Sequence, residues 1–301
     1  MEHQKLDTVW NKWQVLGWAA QTSLVTYVWR LLNALYAGLS VLALYLYTPI
    51  SWLTSRHIEI PKTLDNGQNQ HAPGASGLIC QGLREYLLPP LKPQDKGKMT
   101  VVLDLDETLI TSHLRHLVPT SLRMAAKRGD VLSHEVICDP GTGKPTTVVM
   151  FTRPGVFEFL GRLSRFAEVV IFTAGAPFYA EPLINLLDPN HKVFSGRLYR
   201  SATVDTPRHE YVKDLSRLGR DLRRTVLVDN RPYSFLLQPA NGIPCTPFRG
   251  RVQDGQLLGV ILPLLESLSY VRDIRPVLNN HFKMASWFRS KGCDVPNKIL
   301  E

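Results

Sequence analysis

Three stretches of the 301-residue chain, Val101-Val102-Leu103, Val169-Val170-Ile171-Phe172 and Val226-Leu227-Val228, are apolar without alternation, and each runs into polar residues. A strand with one wet face alternates apolar and polar side chains, so an unbroken run marks a strand buried on both faces. Parallel sheets covered by helices on each side bury strands in that way. The spacing predicts strands over 100–105, 167–173 and 224–229. Helices are expected over 157–165 and 178–187, with a shorter one over 211–219 and a late one over 257–268 despite Pro263. The expected fold class is α/β, with a Rossmann-like parallel sheet.

The first strand ends at Asp104 and Asp106, the second at Thr173, and the third at Asp229 and Asn230, while Lys213 falls in Tyr211-Val212-Lys213-Asp214. Open α/β sheets bind ligands at the carboxyl ends of their strands. Period-two geometry points Asp104 and Asp106 to one side, where like charges repel and a cation would offset the repulsion. Mg²⁺ prefers oxygen ligands, and a phosphate beside it could be attacked by one carboxylate while the other handles the proton. Each group also has a plain structural reading. The two aspartates could be solvated turn acids, Thr173 a helix cap, Lys213 a surface charge and Asp229-Asn230 a turn. Their shared position after apolar strands favours metal-assisted phosphoryl transfer.

Between residues 111 and 150 a polar segment interrupts the pattern. It contains His134-Glu135-Val136-Ile137-Cys138 and Val148-Val149-Met150-Phe151 around Pro140-Gly141-Thr142-Gly143, which reads as two strands and a turn. This small β insertion directly follows the aspartate-bearing strand, so it is expected to overhang the site and select substrates.

A formal net charge of +9 points to an acidic partner surface, and anionic lipid, a phosphoprotein and nucleic acid all qualify on charge alone. The chain shows neither an aromatic-rich nucleic-acid platform nor paired metal-finger cysteines, so direct nucleic-acid binding is not expected. Cys80, Cys138, Cys245 and Cys293 are far apart, which fits a reducing compartment better than a disulfide framework. Residues 31–55 carry no Asp, Glu, Lys or Arg, and Trp10, Trp13, Trp18, Trp29 and Trp52 cluster around that stretch. A bilayer span needs about 20 mainly apolar residues, and tryptophan favours the headgroup level. Residues 1–56 are therefore expected to be a membrane anchor or an amphipathic helical segment on an anionic membrane surface. Residues 57–97, rich in Gly and Pro, read as a linker, 98–278 as the catalytic domain, and 279–301 as a tail. Residues 277–301 are expected to be partly extended.

Five motifs together carry a resemblance. They are Leu103-Asp104-Leu105-Asp106-Glu107-Thr108-Leu109, Phe151-Thr152-Arg153-Pro154-Gly155, Val170-Ile171-Phe172-Thr173-Ala174, the segment from Tyr211 to Leu222, and Val228-Asp229-Asn230-Arg231-Pro232. In this order they resemble the haloacid dehalogenase superfamily, and within it the small protein phosphatases with a DxDxT motif. The resemblance implies a haloacid dehalogenase-type sheet and a Mg²⁺-dependent phosphatase acting on phosphoserine and phosphothreonine. By resemblance, Asp104 would be the nucleophile forming an aspartyl-phosphate and Asp106 the acid/base, while Thr173 and Lys213 would grip the phosphoryl group. Mg²⁺ would be held by the Asp104 side chain, the Asp106 backbone carbonyl and Asn230, with Asp229 holding metal-bound water or orienting Lys213. The family pattern is departed from at Gly175, where serine is common, and at Arg231, again a frequent serine.

With the N-terminal apolar segment, the tail Leu262-Pro263-Leu264-Leu265 and the run from Val271 to Leu278 resemble the Dullard-type nuclear envelope phosphatases. That implies a lipin-type phosphatidate phosphatase as substrate and a small membrane regulatory subunit as partner. It also implies residence at the nuclear envelope and endoplasmic reticulum membrane, the catalytic domain facing cytoplasm or nucleoplasm. Two alternatives share the fold. One is a phosphatase of the RNA polymerase II C-terminal tail, and the other a noncatalytic mitochondrial import receptor.

Overall fold

A computed structural model of the protein describes residues 86–295. The expected anchor over 1–56 and most of the linker lie outside the described residues, and among those described no helix is long and apolar enough to cross a membrane.

Strand β1 (Met99–Leu103) is buried at every position. It pairs in parallel with β5 (Ala167–Phe172) on one side and β7 (Thr225–Asp229) on the other, Val102 facing Val170 and Leu227. With β6 (Phe194–Leu198) and β8 (Gly242–Pro244) the sheet has the order β6-β5-β1-β7-β8. The alternating side chains of β1 explain its unbroken apolar sequence. Val101 and Leu103 join a core with α2 (Val156–Phe166), α3 (Pro177–Leu187) and α4 (Leu262–Ser269), through Phe159, Leu183 and Leu265 among others. Val102 faces the opposite core with Leu215, Phe235 and Phe288. The chain leaves β1 toward β5 and β6, then returns across it to β7 and β8. The strand order thus reverses at β1, and a crevice opens at such a switch point.

The insertion forms a three-stranded antiparallel sheet of order β2-β4-β3. Its members are β2 (Ile110–Leu114), β3 (Ser133–Cys138) and β4 (Thr146–Thr152), with α1 (Thr120–Lys127) packed beside it. Leu122, Ala125, Val149 and Phe151 close a separate small core with Phe248.

Two expectations are corrected by tertiary context, and the late helix forms where expected with an altered first turn. The helix expected over 211–219 is only a 3-10 turn at Leu215–Leu218, because Tyr211 adopts a left-handed φ of 61° and Val212 bridges to Val204. The late helix is a π turn (Leu257–Ile261) leading into α4. Pro263 lacks an N–H and its ring crowds the carbonyl four residues back, which the wider turn relieves. The described part of the tail, 277–295, is largely helical rather than extended, lying in α5 (Ile274–Phe282) and α6 (Met284–Ser290). Asp273 accepts from the Arg275 backbone N–H at 3.1 Å to cap α5, whose Ile274 and Leu278 enter the first core, while Met284 and Phe288 of α6 enter the second.

The local Arg220, Arg223 and Arg224 cluster is structural. Arg223 pairs with Asp221, and Arg224 donates to the Ser269 carbonyl at 2.9 Å. Arg220 grips the buried Glu168 through Nε and Nη2, both at 2.8 Å, while Thr100 Oγ1 donates to the same carboxylate at 2.7 Å. Burial alone would raise the Glu168 pKa, but these bonds hold it below the usual 4.5. The sign follows: Glu168 binds a proton less readily folded than unfolded, so its stabilisation is full above about pH 4.5 and is lost as pH falls through the depressed folded value. Glu168→Gln should lower the melting temperature at pH 7, consistent with a cost of about 3 kcal/mol for breaking a buried pair. The gap from wild type should narrow in melts below about pH 4.5.

Candidate active site

The turn after β1 is built to hold carboxylates. Asp104 N–H donates to the Val228 carbonyl at 3.0 Å, carrying the β1–β7 pairing one residue further. Leu105 is buried and anchors the turn, its carbonyl accepting from the Leu109 N–H at 2.9 Å, while Glu107 takes a left-handed φ of 58°. Asp104 and Asp106 flank this apolar anchor.

Lys213, 1% exposed, lies between two carboxylates, donating to Asp104 Oδ1 at 2.6 Å and to Asp229 Oδ2 at 2.7 Å. Its backbone N–H is fixed on the Ser234 carbonyl at 2.8 Å, and its ammonium stands over the Phe172 ring. Asp229 Oδ1 accepts from the Arg231 backbone N–H at 2.7 Å, which leaves Oδ2 turned to Lys213. Thr108 Oγ1 donates to Asp104 Oδ2 at 3.0 Å and accepts from the Asn230 backbone N–H at 3.3 Å. The Asn230 side-chain amide donates to Glu107 at 3.3 Å. Asp106 Oδ1 accepts from the Tyr179 hydroxyl. Thr173 sits buried past the end of β5, its N–H on the Leu198 carbonyl at 2.9 Å and its Oγ1 accepting from the Gly175 N–H at 2.9 Å.

Thus Asp104, Lys213 and Asp229 are brought into direct contact, and Asn230 joins them through Thr108. Asp106 and Thr173 occupy the neighbouring turn and strand end without bonding directly to that triad. Reasoning from sequence gave no role to Thr108 or Tyr179. Thr108 had a signal, four residues after Asp104 in the motif, whereas Tyr179 had none beyond membership of a helix. Arg153, quoted only as part of a motif, is buried and bonds the carbonyls of Thr108 and Thr246 at 3.0 Å and the Asp254 carboxylate at 2.9 Å, tying the turn to the following loop. The thiol of Cys245, pushed up to about 12 by burial, stays protonated and offers no nucleophile.

Burial and then repulsion from Asp229 push Asp104 up to about 7, against the opposing pull of Lys213. Burial also pushes Asp106 up to about 6, with the Tyr179 hydrogen bond opposing it. Burial would lower Lys213, but its two carboxylate partners hold it above its ordinary value. Among the described residues no group of three or more His, Cys, Asp or Glu side chains is arranged to hold a metal ion. The donors that the motif resemblance names are the Asp104 carboxylate, the Asp106 backbone carbonyl and the Asn230 amide, and these would be the groups to hold Mg²⁺. Three acids, Asp104, Asp106 and Asp229, face one ammonium, leaving an excess of negative charge that a divalent cation would neutralise. Hard oxygen donors with that charge fit Mg²⁺.

A sequence profile described as NLI interacting factor-like phosphatase matches residues 99–275. The chain belongs to this family. Human carboxy-terminal domain RNA polymerase II polypeptide A small phosphatase 1 is 40% identical over 194 residues, covering 64% of this chain and 68% of that protein. Phosphatase PSR1 of Saccharomyces cerevisiae is 36% identical over 206 residues, covering 68% of this chain but 42% of its own length. Among solved structures, fission yeast RNA polymerase II CTD phosphatase Fcp1 matches with a TM-score of 0.42 and 20% identity, covering 65% of this chain and 54% of that one. The sheet and its small β insertion are those of the haloacid dehalogenase type.

Thr108 supports both Asp104 and Asn230, and loss of such a supporting partner typically costs about 10- to 100-fold in metal affinity. Thr108→Val should therefore need about tenfold more Mg²⁺ than wild type to reach the same rise in melting temperature, measured in a thermal-shift titration.

Proposed function

We propose that the protein is a Mg²⁺-dependent serine/threonine phosphatase working through an aspartyl-phosphate. The observation that carries this reading is the buried Asp104–Lys213–Asp229 contact at the carboxyl ends of β1 and β7, with Asp106 on the same turn as Asp104. Asp104 attacks phosphorus, and the bond to the seryl or threonyl oxygen breaks as Asp106 gives that oxygen a proton. Water then attacks the phosphorus of the aspartyl-phosphate while Asp106 takes its proton, releasing phosphate and ionised Asp104. Lys213 has three N–H donors and spends two on carboxylates, so the third is available to a phosphoryl oxygen. Thr173 Oγ1 accepts from Gly175 and keeps its own proton for the same purpose. Mg²⁺, held by the Asp104 side chain, the Asp106 carbonyl and Asn230, would neutralise charge on the phosphoryl oxygens and favour the ionised nucleophile.

Full-length protein should release phosphate from a phosphoserine peptide when Mg²⁺ is present and cease to do so with a chelator. Asp104→Asn should lose at least about 10³-fold in kcat, since removing a covalent nucleophile typically removes most of the acceleration. Retained turnover would refute the assignment.

For the substrate, the RNA polymerase II polypeptide A small phosphatases among the relatives favour a phosphorylated polymerase tail over a lipin-type phosphatidate phosphatase. The Dullard-type reading, with its regulatory subunit and its place at the nuclear envelope and endoplasmic reticulum, is supported by the apolar sequence of residues 31–55 and by the tail motifs between Leu262 and Leu278. A trapping experiment separates the two. Asp104→Asn should retain phosphorylated polymerase tail peptides over lipin, whereas the reverse preference would favour the Dullard-type enzyme. Deleting residues 13–55 should release the protein from membranes if that segment is the anchor, and unchanged fractionation would refute it.

A further inference from the structure

Asp106 must turn one particular oxygen toward the leaving group, yet a carboxyl free to rotate presents either. In this protein Oδ1 is taken by the Tyr179 hydroxyl, and that hydroxyl lies 2.6 Å from Ser112 Oγ. A phenol has a single proton. Once donated to Asp106, it leaves the Tyr179 oxygen to accept from Ser112, so the donors run from Ser112 to Tyr179 to Asp106. The three residues come from β2, from the first turn of α3 and from the turn after β1. The Tyr179 ring is itself seated closely: a Cβ added at Gly175 would stand 3.0 Å from its Cδ1. Its body packs on the core beneath α3.

We propose that Tyr179, held by Ser112, is a positioning residue that occupies Oδ1 of Asp106 and so commits Oδ2 to proton transfer. In the first step the proton leaves Oδ2 for the seryl oxygen as that oxygen's bond to phosphorus breaks and the bond from Asp104 forms. In the second, Oδ2 takes the proton of the attacking water as the bond from phosphorus to Asp104 breaks. Tyr179 keeps its own proton throughout. Its effect is orientation, and misorientation of a reacting group costs up to about 100-fold.

The inference rests on the phosphatase reading, and its test uses leaving groups of different basicity. An alkoxide such as seryl oxygen needs a proton to depart, whereas p-nitrophenolate departs without one. Full-length wild type, Tyr179→Phe and Ser112→Ala are assayed with Mg²⁺ on a phosphoserine peptide and on p-nitrophenyl phosphate. Because kcat/KM reports only the steps up to departure of the leaving group, Tyr179→Phe should lower kcat/KM on the peptide by about 10- to 100-fold and change kcat/KM on p-nitrophenyl phosphate by less than about threefold. Ser112→Ala should show the same pattern at smaller size, and it serves alone if Tyr179→Phe does not fold. In an Asp106→Asn background Tyr179→Phe should cost nothing further, because the two act as one unit. Equal losses of kcat/KM on both substrates, or full additivity with Asp106→Asn, would each overturn the positioning role while leaving the phosphatase reading intact. Wild type inactive on both substrates would overturn both.

Discussion

Lys213 is a full positive charge buried between Asp104 and Asp229, and the geometry of the candidate site depends on keeping it there. A buried ammonium without partners would cost several kcal/mol, and the two carboxylates without the ammonium would repel each other. Each member is tolerable only in the presence of the others. The unusual local backbone follows from this requirement. Tyr211 takes a left-handed conformation and Val212 pairs with Val204, so the segment enters the core extended and delivers the lysine side chain to the strand ends. A helix over the same residues would have pointed Lys213 along a helix face.

The parallel sheet supplies the other half of the constraint. Because β1 is central, its neighbours on both sides present their carboxyl ends at the same level, and residues distant in sequence arrive together. The Asp104 N–H on Val228 fixes the backbone that carries one carboxylate, and the Arg231 N–H holds the Asp229 carboxylate directly. Preorganisation of that kind is what electrostatic stabilisation of phosphoryl transfer requires.

Sequence reading reached the parts of the structure governed by local pattern. Apolar runs located β1, β5 and β7, helical periodicity located α2 and α3, and the ends of those strands placed Asp104, Asp106, Thr173, Asp229 and Asn230 at the sheet edge, while their chemical roles and that of Lys213 came from the resemblance. It missed what long-range packing decides. The short edge strands β6 and β8 carry too little apolar pattern to stand out. Helices α5 and α6 were hidden because their apolar positions serve two different cores, although Asp273 ahead of Ile274 was a legible cap. Tyr179 was invisible as a site residue, since nothing in a helical pattern tells which aromatic side chain aims its hydroxyl at a carboxylate 73 positions away.

The insertion was read from sequence as an overhanging selector, and its contacts make it part of the frame around the aspartate turn. Its first strand is continuous with the aspartate turn: Glu107 N–H donates to the Ile110 carbonyl at 2.7 Å, and two residues later Ser112 reaches Tyr179. At the far end of β4, Arg153 N–H donates to the Leu109 carbonyl at 2.9 Å while its guanidinium holds Thr108 and the loop near Thr246. The same sheet exposes Ile137 at 69%, and Leu117 and Leu132 are each 58% exposed on the flanking segments, which are apolar surfaces turned outward. Outer contacts and catalytic turn are therefore joined through one small sheet. A change on its exposed side that shifted β2 would be felt at Ser112 and, through Arg153 and Thr108, at Asp104, whereas Lys213 and Asp229 make no bond to the insertion's strands among the described residues.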